Sequence, residues 1–460
     1  MSFFKAYDMR GTFGVDFDLA LVERVGRELP RVIGGTRWLV GRDCRTTGAD
    51  VEAALVRGLA AAGADVTELG LCTTPMVYFF TAADGYDGSV MVTASHNPPG
   101  DNGLKVSRAG AVPVGFADGL DQVKLRVEKE ELRVEGGDAR RETRDVPPSD
   151  VTLNSQLSTF NSRYIAWQRA ATPEVRGLNY AVDCSNGMAA LLARDLFPGA
   201  RILNETLDGR FPNHSPNPLT AEARAQLAAV VRAEGLDCGV IFDGDADRAM
   251  FVDERGAFVQ PDYLIPVVAR ASVPAGRGAK ILHDVRTSRG AIEAIRALGL
   301  EPVMVPVGHV FAKKALRDCG AACGGELAGH YYFSEFYNCD SGVLAARRIL
   351  GEIARAKAAG QTFSEMMAPI ATRYANSGEL NFKVADKKAA IARVLAASAA
   401  KLPRETGRAT MDGLRLEFAE GWINIRESNT EPYLRLVAEC DTAARLAEWR
   451  AILTDAITGG

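Results

Sequence analysis

The chain predicts an α/β protein: three similar mixed or parallel-sheet α/β domains and a smaller C-terminal α+β domain, set around a central cleft. Three observations predict it. The 460 residues are too many for one ordinary core, and a prior of roughly 150 residues per domain gives three or four. Helical and strand signals alternate from the start, which calls for a largely parallel sheet. Buried strands then end on an aspartate three times, at Asp43, Asp183 and Asp284, each followed by a second polar strand end, at Ser95, Asp243 and Glu326; three similar units would each offer one functional loop. The predicted domains span residues 1–147, 148–254, 255–370 and 371–460.

In chain order, Leu21, Val22, Val25 and Leu29 share a helical face, and Trp38-Leu39-Val40 follows as a short apolar strand. A helix from Val51 to Ala62 stops at Gly63 and feeds the strand Val66 to Leu69. Val90-Met91-Val92 reads as a buried strand running through Thr93-Ala94-Ser95-His96-Asn97 into Pro98-Pro99-Gly100-Asp101-Asn102-Gly103, where neither helix nor strand can continue. Between Glu128 and Asp150 the composition turns charged, with Gly136-Gly137 and Pro147-Pro148, marking a domain boundary. Near the end, Glu379 to Phe382, Leu414 to Phe418 and Trp422 to Ile425 alternate apolar and polar residues, the pattern of a half-buried antiparallel sheet. A helix from Ala443 to Ile457, with Asp441 as its N-cap, closes the chain.

Composition excludes several classes of function. Lys+Arg 54 against Asp+Glu 58 leaves no basic excess for nucleic acid or an anionic membrane. The start Met1-Ser2-Phe3-Phe4-Lys5 lacks an apolar signal core, and no long uncharged apolar run follows, so a cytoplasmic chain is expected, as monomer or homodimer. Eight cysteines are too sparse for a disulfide framework, and only Cys319 and Cys323 lie close together, so reduced thiols are expected.

Four loops carry chemistry. Ser95 stands on a strand-end loop, where open α/β sheets bind ligands. Asp243-Gly244-Asp245-Ala246-Asp247-Arg248 sets three carboxylates at alternating positions, with a glycine letting the backbone bend, which suits Mg²⁺. Arg248 offsets their charge and can reach a phosphate. An EF-hand is excluded, because Arg248 stands where that loop needs glycine and strands flank it. Arg426-Glu427-Ser428-Asn429-Thr430-Glu431-Pro432 offers a guanidinium, hydroxyls, an amide and bending N–H groups to a phosphate. Gly324-Gly325-Glu326-Leu327-Ala328-Gly329-His330 places a carboxylate and an imidazole for sugar hydroxyls and proton exchange. Together they describe phosphoryl transfer on a sugar phosphate.

On these loops, with Tyr7-Asp8-Met9-Arg10-Gly11, Asp101 to Lys105 and Gly308-His309, the chain resembles the α-D-phosphohexomutase superfamily, most closely its phosphomannomutase/phosphoglucomutase branch. The resemblance implies a phosphoserine at Ser95 and one Mg²⁺ held by Asp243, Asp245, Asp247 and a phosphoserine oxygen. It implies exchange between hexose 1-phosphate and 6-phosphate, of mannose or glucose, through a hexose 1,6-bisphosphate. Lys105, Arg10, His330 and Arg248 are the implied catalytic residues, the first three sharing proton transfer and oxygen positioning without a rank. Glu326, His309, Gly308, Arg286 and Tyr7 are the implied sugar contacts, and Arg426, Ser428, Asn429 and Thr430 the phosphate clamp.

Two positions depart from the family pattern. Arg286 falls where lysine is common, and Ala328 where the sugar loop carries serine, which bears on sugar preference. Phosphoglucosamine or phosphopentose mutase, and a non-catalytic sugar-phosphate binder, are the alternatives. His96 is expected to turn away from Ser95, as neighbours in an extended loop do, and to orient the loop or touch phosphate. A hinge is expected near Pro369 to Tyr374.

Overall fold

The computed structural model describes residues 3–135, 153–172, 174–274, 278–428 and 433–459. The expected boundary signals Gly136-Gly137 and Pro147-Pro148 lie outside the described residues. The first unit runs β1 (Met9–Thr12), α1 (Leu19–Ile33), β2 (Arg37–Arg42), α2 (Gly48–Ala61), β3 (Asp65–Leu71), α3 (Thr74–Ala83), β4 (Gly88–Val92), β5 (Asp101–Arg108), β6 (Val112–Pro113) and α4 (Leu120–Glu135). Asp18 starts α1 by accepting the Leu21 N–H at 2.7 Å, and Leu21, Val22, Val25 and Leu29 bury its apolar face.

The second unit has α5 (Leu153–Ala171), β7 (Tyr180–Asp183), α6 (Ala190–Leu196), β8 (Arg201–Leu203), α7 (Ala221–Glu234), β9 (Cys238–Phe242), β10 (Ala249–Asp253) and β11 (Phe258–Val259). The third has α8 (Ile265–Ser272), β12 (Lys280–Asp284), α9 (Arg289–Ala297), β13 (Glu301–Val305), α10 (His309–Cys319), β14 (Cys323–Gly325), β15 (Tyr331–Phe333), β16 (Cys339–Asp340), α11 (Gly342–Ala358) and α12 (Phe363–Ala371). The last has β17 (Ala375–Asn376), β18 (Leu380–Phe382), α13 (Lys387–Lys401), β19 (Glu405–Ala409), β20 (Leu414–Phe418), β21 (Gly421–Glu427), β22 (Leu434–Cys440) and α14 (Ala443–Thr458).

The first three sheets repeat one strand order, β5-β4-β2-β3, β10-β9-β7-β8 and β15-β14-β12-β13. In each, three strands are parallel and the strand after the second functional loop turns back antiparallel. The repeated aspartates do the same local work. Asp43 accepts the Arg45 N–H at 3.0 Å, Asp183 the Ser185 N–H at 2.8 Å and Asp284 the Arg286 N–H at 2.6 Å, so each carboxylate shapes the turn that follows its strand.

One hydrophobic core runs through these three units, from Leu39, Phe79 and Met91 through Val182 and Phe242 to Ile281 and Ile349. Phe79 packs on Tyr164 and Trp167 with ring centroids 5.5 Å away in each case, and Trp167 lies 5.2 Å from Phe336. The last unit has its own core around Ile423, Leu436, Trp449 and Leu453. The loops on the first three sheets are therefore fixed relative to one another, while the last unit joins them across a separate interface. Among the described residues, no helix is long and apolar enough to cross a membrane.

Three expectations need correction. β5 begins at Asp101, so the break after Ser95 ends there: Gly103 stays within the strand because a Cβ would come within 2.3 Å of the Met9 carbonyl on β1. The cap of α14 is Thr442, whose side chain accepts the Arg445 N–H at 3.2 Å, while Asp441 pairs with Arg445. The final sheet is half-buried only at its edges, where Asn381 on β18 is exposed, and its central strands β20, β21 and β22 are covered on both faces. The polar residues of its alternation, Arg415, Asn424 and Glu439, are also buried, because this face packs on the third unit, where Trp422 meets Leu327.

Candidate active site

The loop between β4 and β5 carries Ser95 with φ 53°, in the left-handed region. Three interactions hold it there. The Ser95 N–H donates to Thr93 Oγ1 at 2.8 Å. Gly244 presses on the loop, since a Cβ there would stand 2.6 Å from the Ser95 carbonyl oxygen. Arg45, fully buried, donates to the carbonyls of Ser95 at 2.9 Å, Asn97 at 2.7 Å, Pro98 at 2.6 Å and Asp101 at 2.8 Å.

Ser95 Oγ donates to Asp243 Oδ2 at 2.8 Å. Asp243, Asp245 and Asp247 are all buried, with carboxylate oxygens within 4.8 Å of one another. The positive φ that bends this loop is at Ala246, 61°, so the expectation that Gly244 supplies the bend is corrected: the glycine serves the close approach to Ser95. Lys105 Nζ donates to Asp245 and Asp247, both at 2.6 Å. Thr74 Oγ1 donates to Asp245 at 2.5 Å, yet Asp245 Oδ1 remains buried without a partner. A hard cation fits this set, because it would satisfy that oxygen and relieve the repulsion among three carboxylates.

The charges follow from this packing. Burial and repulsion from Asp247 and Asp245 push the Asp243 carboxyl well above the usual range. Burial also opposes ionisation of Asp247, but Lys105, His330 and Arg248 hold it well below that range. For Lys105, burial is outweighed by Asp245 and Asp247, so its pKa is raised.

His330, at the end of the loop that carries Glu326, faces the aspartate loop. Its Nε2 lies 3.3 Å from Asp247 and 3.2 Å from Arg248 Nε, and its Nδ1 3.4 Å from Glu326. Burial and Arg248 work against its protonation, but Asp247 and Glu326 raise its pKa to about 9. Glu326 in turn accepts the Gly308 N–H at 3.0 Å. His309 is half-buried beside His330, its two ring nitrogens out of solvent and neither hydrogen-bonded. Tyr7 donates to the Val307 carbonyl at 3.0 Å and stacks edge-on against His309. Arg10 pairs with Asp8 and donates to Asn97 Oδ1 at 3.3 Å.

His96 overturns the expectation that it turns away from Ser95. The left-handed φ of Ser95 breaks the extended geometry, and His96 Nδ1 lies 3.3 Å from Ser95 Oγ. Burial, Arg248 and Arg10 hold that imidazole well below its ordinary pKa, hence neutral.

A second cluster gathers the arginines. Glu379, just before β18, takes Arg286 at 3.0 Å, Arg426 at 3.0 Å and Arg435 at 2.9 Å. Asp284 holds the other side of Arg286 at 2.7 Å. The Leu327 N–H donates to the same aspartate at 2.9 Å, tying this cluster to the loop that carries Glu326. Ser428 donates its N–H to the Tyr433 carbonyl at 2.9 Å and closes the hairpin; Asn429 and Thr430 lie outside the described residues.

The Ser95, aspartate, Lys105, Arg248, His330 and Glu326 side chains thus form one connected site, and Arg286 and Arg426 a neighbouring one. Arg45, Thr74 and Glu379 were not legible as site residues, and neither was the approach of His96 to Ser95. The only local signal was Asp43, whose carboxylate marks the loop on which Arg45 sits.

Four family models match in order: phosphoglucomutase/phosphomannomutase α/β/α domain I over residues 1–133, domain II over 163–256, domain III over 260–374 and the C-terminal domain over 379–456. A phosphomannomutase of Salmonella montevideo is 36% identical over 447 residues, covering 95% of this chain and 94% of that protein. A phosphomannomutase of Escherichia coli K12 is 34% identical over 469 residues, covering 98% of each. Among solved structures, a phosphoglucomutase/phosphomannomutase family protein of Burkholderia thailandensis superposes with a TM-score of 0.82 at 30% identity, over 100% of this chain and 97% of that one.

Proposed function

From a chain that belongs to the phosphoglucomutase/phosphomannomutase family, and so is a phosphohexomutase of carbohydrate metabolism, we propose that Ser95 carries the phosphoryl group. The substrates would be hexose 1-phosphate and hexose 6-phosphate, of mannose or glucose, with a hexose 1,6-bisphosphate between them. The observation that carries this is Ser95 Oγ 2.8 Å from Asp243, on a buried loop whose three carboxylates stand within 4.8 Å. The names of the relatives in Salmonella and Escherichia coli favour mannose.

In the forward step the Oγ–P bond of phosphoserine breaks as the sugar hydroxyl oxygen bonds phosphorus, and the hydroxyl proton is relayed through the site to the departing Ser95 Oγ, which becomes a free hydroxyl. The bisphosphate then turns round, and its other phosphate returns to Ser95 Oγ. Mg²⁺ held by Asp243, Asp245, Asp247 and an oxygen at Ser95 would neutralise charge on the transferring group. Lys105 and His330, both held protonated, serve as donors to oxygens that gain charge. The neutral imidazole beside Ser95 Oγ is His96, which adds it to Lys105, Arg10 and His330 among the proton-transfer groups. Glu326, Gly308 and His309, with Tyr7 at the rim, would face the sugar, and Arg286, Arg426 and Ser428 the phosphate that is not being transferred. For Asn429 and Thr430 this role rests on the sequence pattern.

Intact and peptide mass spectrometry tests the carrier: one phosphate on Ser95 is expected, increased by incubation with a hexose 1,6-bisphosphate. A chain that never acquires it has another mechanism. Rates with mannose, glucose and glucosamine 1-phosphates then decide the sugar.

A further inference from the structure

The arginine cluster is already occupied. Three guanidiniums, Arg286 from the third unit and Arg426 and Arg435 from facing positions on β21 and β22, share one carboxylate. Arg426 reaches that carboxylate through one nitrogen at 3.0 Å, short of the two-point geometry that a guanidinium offers an oxyanion, while Arg286 is already two-pointed on Asp284, with Nε at 3.3 Å and Nη2 at 2.7 Å. Arg426, 3% exposed, keeps Nε buried with no partner. A phosphate brings more acceptors and more negative charge than the carboxylate, and both cannot sit on Arg426 without repelling each other.

Glu379 has somewhere to go. Its side chain is 19% exposed, and it follows Gly378, whose φ of 64° marks a turn rather than a strand interior. Although burial opposes its ionisation, Arg286, Arg426 and Arg435 hold Glu379 down to about 2, so at neutral pH it is a charged competitor.

We propose that Glu379 is an internal anion that the substrate phosphate must displace from Arg426 and Arg286, and that it thereby sets how tightly the chain holds and releases phosphate. This rests on the phosphate-clamp role of Arg426. Glu379 acts through the arginines and is a positioning residue. Its negative charge keeps the empty clamp neutralised and lowers affinity, which speeds release of product.

The test is direct titration of inorganic phosphate into the full-length protein by calorimetry, with no turnover involved. Glu379→Gln removes the competing charge with little change of shape and is expected to tighten phosphate binding at least about tenfold. Glu379→Asp keeps the charge and is expected to bind like wild type. In steady state, Glu379→Gln should lower KM and kcat together, since product leaves more slowly. A purely structural role would lower the melting temperature and leave phosphate affinity unchanged or weaker, which overturns the proposal. Arg426→Ala separates the two levels. If it abolishes phosphate binding while Glu379→Gln does not tighten it, the Glu379 inference alone fails; if it leaves phosphate binding intact, the clamp reading fails and takes the inference with it.

Discussion

Ser95 has a left-handed backbone that costs an ordinary residue about 1–2 kcal/mol, and its surroundings impose that conformation through Thr93, Arg45 and Gly244. The hydroxyl is therefore aimed before any substrate arrives. Ser95→Ala keeps the backbone and deletes Oγ; Ser95→Gly deletes Oγ and relieves the φ of 53°. Both are expected to lose turnover by roughly a thousandfold or more and to melt near the wild-type temperature, because only the Oγ contacts to Asp243 and His96 are lost. A steady-state assay and a thermal melt check this, and turnover retained by either variant removes Ser95 as carrier. The charged loops were legible at this scale because their chemistry is local: Asp243, Asp245 and Asp247 form a run, and so do Glu326 and His330. His96 was not, since its approach to Ser95 depends on a φ that a list of residues does not reveal.

The loop between β2 and α2 holds up the loop between β4 and β5. Arg45 is the brace, with four carbonyl contacts, an ion pair to Asp43 at 3.2 Å and the Phe211 ring 5.3 Å from its guanidinium. Arg45→Met removes those donors and leaves Asp43 buried and unpaired, for an expected loss of about 3–5 kcal/mol, read from urea unfolding at constant m-value. Turnover should fall further than the unfolded fraction explains, because Ser95 loses its anchor; a variant of wild-type stability would show that the loop stands without Arg45. Strands and helices of this unit were legible because apolar period and caps are local, and Leu21, Val25 and Val90 behave as their spacing predicts. Arg45 and Glu379 escaped for one shared reason: their partners, the carbonyls of 95–101 and Arg286, Arg426 and Arg435, lie far along the chain. The same long-range covering explains why the central strands of a sheet with an alternating pattern turned out buried on both faces.

At the scale of the molecule, three units share a core and the fourth is attached by a polar seam with a small apolar patch, Leu327, Trp422 and Val437. Arg289 is the busiest residue of that seam. From the start of α9 it donates to Glu417 at 2.7 Å, to the carbonyls of Phe418 at 2.6 Å and Gly421 at 2.9 Å, and its own N–H donates to Glu439 at 2.8 Å. The connecting chain is tied on the near side, where Tyr374 donates to Glu293 at 2.6 Å, and its pairing with β22 begins at Ala375. A swing of the last unit about the expected hinge near Pro369 to Tyr374 would have to break the Arg289 contacts. Arg289→Ala is expected to weaken the seam by about 1–3 kcal/mol, raising hydrogen exchange in β20 and β21 while β2 and β4 exchange as in wild type. KM for the sugar phosphate should rise more than kcat falls, because Arg426 and Ser428 ride on the unit that has been loosened and Ser95 does not. Unchanged exchange in β20 and β21 would mean that the Trp422 patch alone fixes the last unit, and that closure over substrate works against apolar packing rather than against this set of hydrogen bonds.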